Sequence, residues 1–207
     1  MLTIIDYGAG NLRSVYMAFR RLGLEARITG DADEIRRADV LVLPGVGAFG
    51  DCIGKVRYLE LEPLITAAIA DGKPFLGICV GLQLLFEVGE EMGEHRGLGV
   101  LPGRVRRFPQ GLTVPHMGWN QIHQQKVSPL WRGVPDGSYV YFVHSYYAEA
   151  HDPSSIAATT DYGLDYCSAV ARDNLFAIQF HPEKSQDVGE RILRNFAVQA
   201  GLLEEGA

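Results

Sequence analysis

Cysteine is scarce, with only Cys52, Cys79 and Cys167 among 207 residues. An odd number without a Cys-x-x-Cys spacing argues against a disulfide framework and a zinc ribbon, fits a reducing cytoplasm, and leaves each thiol to be explained singly. Positive charge is also short: 19 Lys and Arg stand against 25 Asp and Glu, for a net charge of −6. That balance repels phosphate backbones and acidic lipids, so neither nucleic acid nor a membrane is an expected partner. The longest apolar stretches, Val40–Phe49 and Phe75–Phe86, are interrupted by Gly and fall short of the roughly 18 residues of a membrane span. Met1-Leu2-Thr3-Ile4-Ile5-Asp6 has no basic segment before an apolar core and reads as a strand, not a signal peptide. A triphosphate-binding Gly-x-x-x-x-Gly-Lys-[Ser/Thr] is missing, and His95 and His123 lack metal-ligand spacing, so no cofactor and no metal is expected.

Hydrophobic residues make up 47% of the chain, including 9 Phe, 9 Tyr and 2 Trp, enough for one well-filled core. With no repeat, low-complexity segment or Ser/Pro linker, residues 1–207 read as a single domain. Ile-, Val- and Leu-rich runs alternate with helical periodicity through the first half: strands at 2–6, 24–29, 39–43 and 74–78, helices at 11–22, 31–37, 60–71 and 80–88. The second half has shorter strands at 104–108, 114–124, 139–149, 155–160 and 166–180, then a helix at 186–200. The expected fold is α/β, a mostly parallel central sheet with helices on both faces and added antiparallel strands.

Phe75-Leu76-Gly77-Ile78-Cys79-Val80-Gly81 runs from an apolar strand into an apolar-faced helix. With 24 Gly and 3 Cys available, Gly-x-Cys-x-Gly arises by chance roughly 0.04 times. It is the thiol form of a nucleophile elbow: glycines permit a strained strand-to-helix turn, the helix N-terminus favours a thiolate, and the Val80 N–H can bind an oxyanion. The bland alternative is that Cys79 is a small buried hydrophobe. A nucleophilic Cys79 needs a base, and among six histidines His181 stands out, ending the strand Leu175–Phe180 and followed by Pro182-Glu183. Parallel strands bring their C-terminal ends to one edge, and Pro182 keeps His181 extended so that Glu183 can return to orient the imidazole. Here the alternative is a strand-end histidine beside an exposed acid. Pro44-Gly45-Val46-Gly47-Ala48-Phe49-Gly50 contains Gly-x-Gly-x-x-Gly, but the next strand ends in Ile78-Cys79 and not in the acid that a dinucleotide ribose requires. The loop serves instead as a tight turn or as a second oxyanion donor, through Gly47 or a neighbour. Arg104-Val105-Arg106-Arg107 reads as a solvated strand face.

Gly77-Ile78-Cys79-Val80-Gly81-Leu82-Gln83, with His181-Pro182-Glu183 and the Pro44–Gly47 loop, resembles the class I (triad) glutamine amidotransferases. Asp6–Leu12, Pro115–Asn120, Tyr141–Tyr147 and His181–Ser185 narrow this, over essentially the whole chain, to the glutaminase-subunit family of imidazole glycerol phosphate synthases, in histidine biosynthesis. Val80-Gly81-Leu82 replaces the common Leu-Gly-Met, a volume-preserving change. The resemblance implies that glutamine is hydrolysed to glutamate and ammonia, which passes to a (β/α)₈-barrel cyclase subunit in a heterodimer. It implies Cys79 as nucleophile, His181 as base, Glu183 as orienter, and Gly47 and Val80 at the oxyanion. It further implies that Gln83 and His144-Ser145-Tyr146 hold the amino-acid end, and that Asn11, Trp119, Asn120, Tyr141 and Lys184 face the partner. Three competing readings remain: a small glutaminase of pyridoxal phosphate synthesis, against which Pro115–Asn120 counts, a stand-alone γ-glutamyl peptidase, and a non-catalytic α/β binding module.

Overall fold

The computed structural model describes residues 1–205. Strands β1 (Leu2–Ile5), β3 (Val40–Gly45) and β4 (Phe75–Cys79) are buried at every residue, which requires cover on both sheet faces. With β2 (Ala26–Thr29) and β14 (Leu175–Ile178) they form a parallel block in the order β2-β1-β3-β4-β14. The block continues antiparallel through β13 (Asp165–Arg172), β11 (Tyr146–Ala150) and β7 (Leu101–Arg107), and β5 (Phe86–Gly89) then runs parallel to β7. Short β6 (His95–Arg96) closes that edge, while β12 (Ile156–Asp161) and β9 (His123–Gln124) branch off β13. A separate two-stranded sheet pairs β8 (His116–Gln121) with β10 (Tyr139–His144).

Helix α1 (Leu12–Arg21) buries Val15, Ala18 and Phe19, and α6 (Gln186–Gln199) buries Ile192, Leu193 and Phe196, the i, i+3, i+4 stripe of a helix on a core. In α2 (Ala32–Arg37) the Asp31 carboxylate accepts the N–H groups of Asp33 and Glu34 and closes the first turn. The remaining helices are α3 (Phe49–Tyr58), α4 (Glu62–Ala70) and the single turn α5 (Val80–Gln83). No helix among the described residues is long and apolar enough to cross a membrane.

Four expectations are corrected. The helix at 80–88 stops at Gln83, because Phe86–Gly89 is needed as the parallel partner of β7. Helix α3 is absent from the sequence reading: Gly50 and Gly54 weaken its propensity, although Phe49, Cys52, Ile53 and Val56 line up on its buried face. The strand at 166–180 is a hairpin, turned at Asp173, whose φ is 52°. The strand at 139–149 breaks at Ser145, where the chain leaves the small sheet and enters the large one. Arg104 and Arg106 lie partly exposed against Glu90 and Glu149, as a solvated strand face does.

Two glycines give opposite predictions. A Cβ on Gly81 would lie 1.8 Å from the Leu43 carbonyl oxygen, so Gly81→Ala is expected to destabilise by about 3 kcal/mol or more. Gly54, inside α3, faces open space, and Gly54→Ala should stabilise by about 0.5–1 kcal/mol. Urea unfolding of both variants checks this, and equal effects would reject the packing argument.

Candidate active site

At the junction of β4 and α5 the backbone of Cys79 takes φ 55° and ψ −110°, a region that costs a non-glycine residue about 1–3 kcal/mol. Close backbone packing holds it there. Gly81 abuts the Leu43 carbonyl, Gly77 abuts Gly81, and Gly45 sits where a Cβ would meet the Tyr7 hydroxyl at 2.6 Å and the Val80 Cβ at 2.8 Å. As the first residue of α5, Val80 has an N–H without an intrahelical partner. Gly47, in the loop after β3, has φ 107° with open space about its missing Cβ, so there the conformation and not crowding selects glycine.

The parallel register sets what lies beside the sulfur. Gly45 is level with Cys79 on one side, and Ile178 pairs with Ile78 on the other, which brings Gln179 alongside Cys79. The Gln179 amide Nε2 donates to Cys79 Sγ at 3.7 Å. Two residues on, the His181 backbone N–H donates to the Tyr141 carbonyl (2.9 Å), and the Ser185 hydroxyl donates to the His181 carbonyl (2.6 Å). A 3₁₀ turn, Pro182–Lys184, then returns Glu183 so that His181 Nδ1–H donates to its Oε1 at 2.8 Å. Both side chains are almost fully buried. His181 Nε2 is buried too, with no completed hydrogen bond, which leaves it for a thiol. Burial is the strongest single influence on His181 and opposes its charge, but the nearness of Cys79 and the bond and charge of Glu183 together outweigh it and hold the imidazole up at about 10.

Cys79, Val80, His181, Gly47 and Gln83 line one cavity of about 390 Å³ together with Val143–Tyr146 and Pro115, with Glu91 and Lys184 as its further charged groups. Glu91 also accepts the Phe49 N–H at the start of α3 (2.7 Å). A larger cleft of about 590 Å³, beside α6, is lined by Arg132, Arg191 and Arg194 but holds no nucleophile. Sequence reasoning missed Gln179, Glu91 and Pro115; the first would have followed from aligning the ends of β4 and β14.

The Gln83 amide Nε2 donates to the Tyr146 carbonyl (3.0 Å) and to Gln179 Oε1 (3.1 Å). His144 Nδ1–H donates to that same carbonyl (2.8 Å), so its Nε2 accepts from the Tyr166 hydroxyl (3.1 Å). The Tyr166 oxygen then takes His116 Nδ1–H (3.2 Å), and His116 Nε2 takes an N–H of Asn120 (3.3 Å). Burial pushes His144 down to about 3 and His116 down to about 4, so both rings are neutral in this chain of donors. Both nitrogens of His144 are thus spent inside the protein. Val143, Ser145 and Tyr146 of its segment also line the cavity.

Asn120, expected at a partner face, spends its amide nitrogen on His116 and the Asp161 carbonyl. Trp119 is 46% exposed and stands opposite Tyr141 across the small sheet, ring centroids 6.0 Å apart, with Lys184 Nζ 5.7 Å from the Tyr141 ring centre. Met117 and Tyr139, not expected, are exposed on the same two strands. Asn11 caps the start of α1 by position, without a side-chain cap bond, and does not line the cavity.

A parallel α/β sheet with a thiol on a strained turn, an imidazole–carboxylate pair at the next strand end and a small polar cavity defines a cysteine amidohydrolase architecture. The family model for class-I glutamine amidotransferases matches residues 3–200, and the chain belongs to that family. Within it the chain is 55% identical over 203 residues to the imidazole glycerol phosphate synthase subunit HisH of Syntrophotalea carbinolica (95% of this chain, 98% of that one). It is 50% identical over 201 residues to the protein of the same name from Aquifex aeolicus, with 97% of each covered. The fold is shared with the solved structure of PurLQS from Thermotoga maritima (TM-score 0.77, 19% identity, 96% of this chain and 97% of that one).

The buried neutral histidines predict an acid-sensitive fold. Each is held below its unfolded value near 6.5, so the unfolded chain binds more protons between about pH 6.5 and 4 and stability falls on acidification through that window, at most about 1.4 kcal/mol per pH unit for each. His181, held high, contributes its stability in full below about 6.5 and loses it only as pH rises toward 10, so it adds no slope there. Urea titrations from pH 7 to 5 should show the decline, and His116→Asn should remove about one proton from its slope; an unchanged slope would sink the assignment.

Proposed function

We propose that this chain is the glutaminase subunit of an imidazole glycerol phosphate synthase, hydrolysing L-glutamine and delivering the ammonia to a (β/α)₈-barrel cyclase subunit. The observation that carries this reading is the strained Cys79 beside a His181 whose other nitrogen is bonded at 2.8 Å to Glu183, all at one cavity. Its volume lies within the about 300–1,000 Å³ usual for small-molecule sites. Glu91 and Lys184 give the cavity one charge of each sign, a match for the zwitterionic end of an amino acid. Both N–H groups of Gln83 are engaged, so what it presents to a ligand is its carbonyl oxygen, an acceptor for the α-ammonium.

In this mechanism His181 takes the Cys79 proton, and the sulfur attacks the γ-carboxamide carbon of glutamine. The carbonyl π-bond opens to an oxyanion held by the Val80 N–H and by an N–H of the Gly45–Gly47 loop, with Gly47 the candidate donor. His181 gives its proton to the amide nitrogen as the C–N bond breaks. Ammonia leaves and a thioester remains. Water, deprotonated by His181, attacks the thioester, releasing glutamate and the thiolate. Glu183 keeps the His181 tautomer throughout. The face that carries Trp119, Tyr141 and Lys184 adjoins the cavity and is suited to receive the cyclase subunit, with Tyr141 and Lys184 sealing the ammonia exit.

Cys79→Ala is expected to abolish glutamine hydrolysis while ammonia-supported cyclisation by the assembled complex survives; equal loss of both in a folded complex would make Cys79 structural. His181→Asn should cost several orders of magnitude in turnover and Glu183→Gln less, since an orienting group sharpens a base that it does not replace. The reverse order would reject these roles.

Tyr141→Ala and Lys184→Ala should still form glutamate, but more than one per cyclised product, in complexes saturated with partner. A ratio of one in both variants would remove them from ammonia transfer.

A further inference from the structure

The amide of Gln179 is fully buried, and the only direction in which it can point is dictated from outside it. The Tyr146 carbonyl can only accept, so the Gln83 atom 3.0 Å from it is the nitrogen. That nitrogen reaches Gln179 at 3.1 Å, so the Gln179 atom there is the oxygen. The remaining amide nitrogen, two N–H donors, is left facing Cys79 Sγ at 3.7 Å. Flipping the amide would set nitrogen against nitrogen at the Gln83 end and lose that bond, and would put at the sulfur an oxygen that has no proton to give a thiolate.

We propose that Gln179 is a further catalytic residue, whose side-chain N–H holds the Cys79 sulfur in the ionised, cavity-facing state from which it attacks. The proposal rests on the reading of Cys79 as the nucleophile. Gln179 transfers no proton and forms no covalent bond. Its hydrogen bond is strong to a thiolate, weak to a thiol or thioester, and is remade when the thioester is hydrolysed. It stands on the β14 side of the sulfur, two residues before His181, so donor and base both come from the segment that follows one strand. The other titratable groups that act on Cys79 are His181 with Glu183 behind it, Tyr7 and Cys52 behind the Pro44–Gly47 loop, and Tyr166 from β13; Glu91 and Lys184 line the cavity. None of them is altered by replacing Gln179.

A donor to a thiolate has two opposed effects on rate. Losing it should cut the ionised fraction about tenfold at low pH, equivalent to about 1.4 kcal/mol, and raise the intrinsic nucleophilicity of what remains about 2.5- to 3-fold. The net expectation is a reaction about three to four times slower at low pH and about three times faster at high pH, with crossing profiles.

The test is iodoacetamide alkylation of the full chain between pH 5 and 10, with the Cys79 peptide quantified by mass spectrometry, for wild type, Gln179→Met and Gln179→Glu. Met keeps the length without a donor; Glu keeps the shape but puts an acceptor at the sulfur. The Met profile should move up by about one pH unit and cross the wild type, and the Glu profile should move further. An unmoved profile in either folded variant, or one lowered by the same factor at every pH, overturns the proposal. Should Met fail to fold, the Glu profile decides alone. Glutaminase activity surviving in Cys79→Ala would instead remove the reading on which the proposal rests, so the two failures are distinguishable.

Discussion

The left-handed backbone at Cys79 is the constraint on which the rest of this site depends. A side chain at φ 55° is uphill by an amount comparable to a good hydrogen bond, and it persists because the turn is clamped between β3 and β14. The clamp is built from missing atoms: Gly45, Gly77 and Gly81 let three backbones approach to distances at which any Cβ would collide. The strain lifts the sulfur off the sheet and leaves the Val80 N–H at the mouth of a helix turn, so one local distortion presents both a thiol and an N–H donor beside it.

Register then distributes the remaining parts. Because β3, β4 and β14 are parallel and level, their ends meet at one edge, where Gly45, Cys79 and Gln179 stand side by side. His181 follows two residues later, tied through its backbone to Tyr141 of β10, while Ser185 bonds both the Tyr141 N–H and the His181 carbonyl. This lacing brings the small sheet against the edge that carries Cys79. The segment in which the chain switches sheets at Ser145 forms part of the cavity wall.

Polar groups buried behind the wall carry directional information. A carbonyl oxygen has no proton to give, so the Tyr146 carbonyl orients Gln83 and His144 at once. Gln83 in turn orients Gln179, and His144 orients Tyr166, His116 and Asn120. Neutrality of the two rings, imposed by burial, is what allows each to donate with one nitrogen and accept with the other. The chain runs from the small sheet to the Cys79 sulfur without a break in polarity.

The amino-acid sequence by itself determined the parts that depend on near neighbours. Gly77-x-Cys79-x-Gly81 at a strand end is a local geometric requirement, Pro182 holds His181 extended, and Glu183 lies close enough in the chain to reach back; the alternation of apolar strands and helices foretold the parallel block. Relations across the chain were out of its reach. The helix at Phe49–Tyr58 was hidden by Gly50 and Gly54, and the helix assigned to 80–88 gave way to a strand because β7, a dozen residues further on, needed a partner. Through its hydrogen bonds Asn120 joins residues 116 and 161, which are distant in the chain. Gln179 was unremarked because nothing near it in the sequence is a nucleophile. Its place beside Cys79 follows from strand register, a property of pairing between segments 100 residues apart, and register is decided only when the whole sheet assembles and buries its faces.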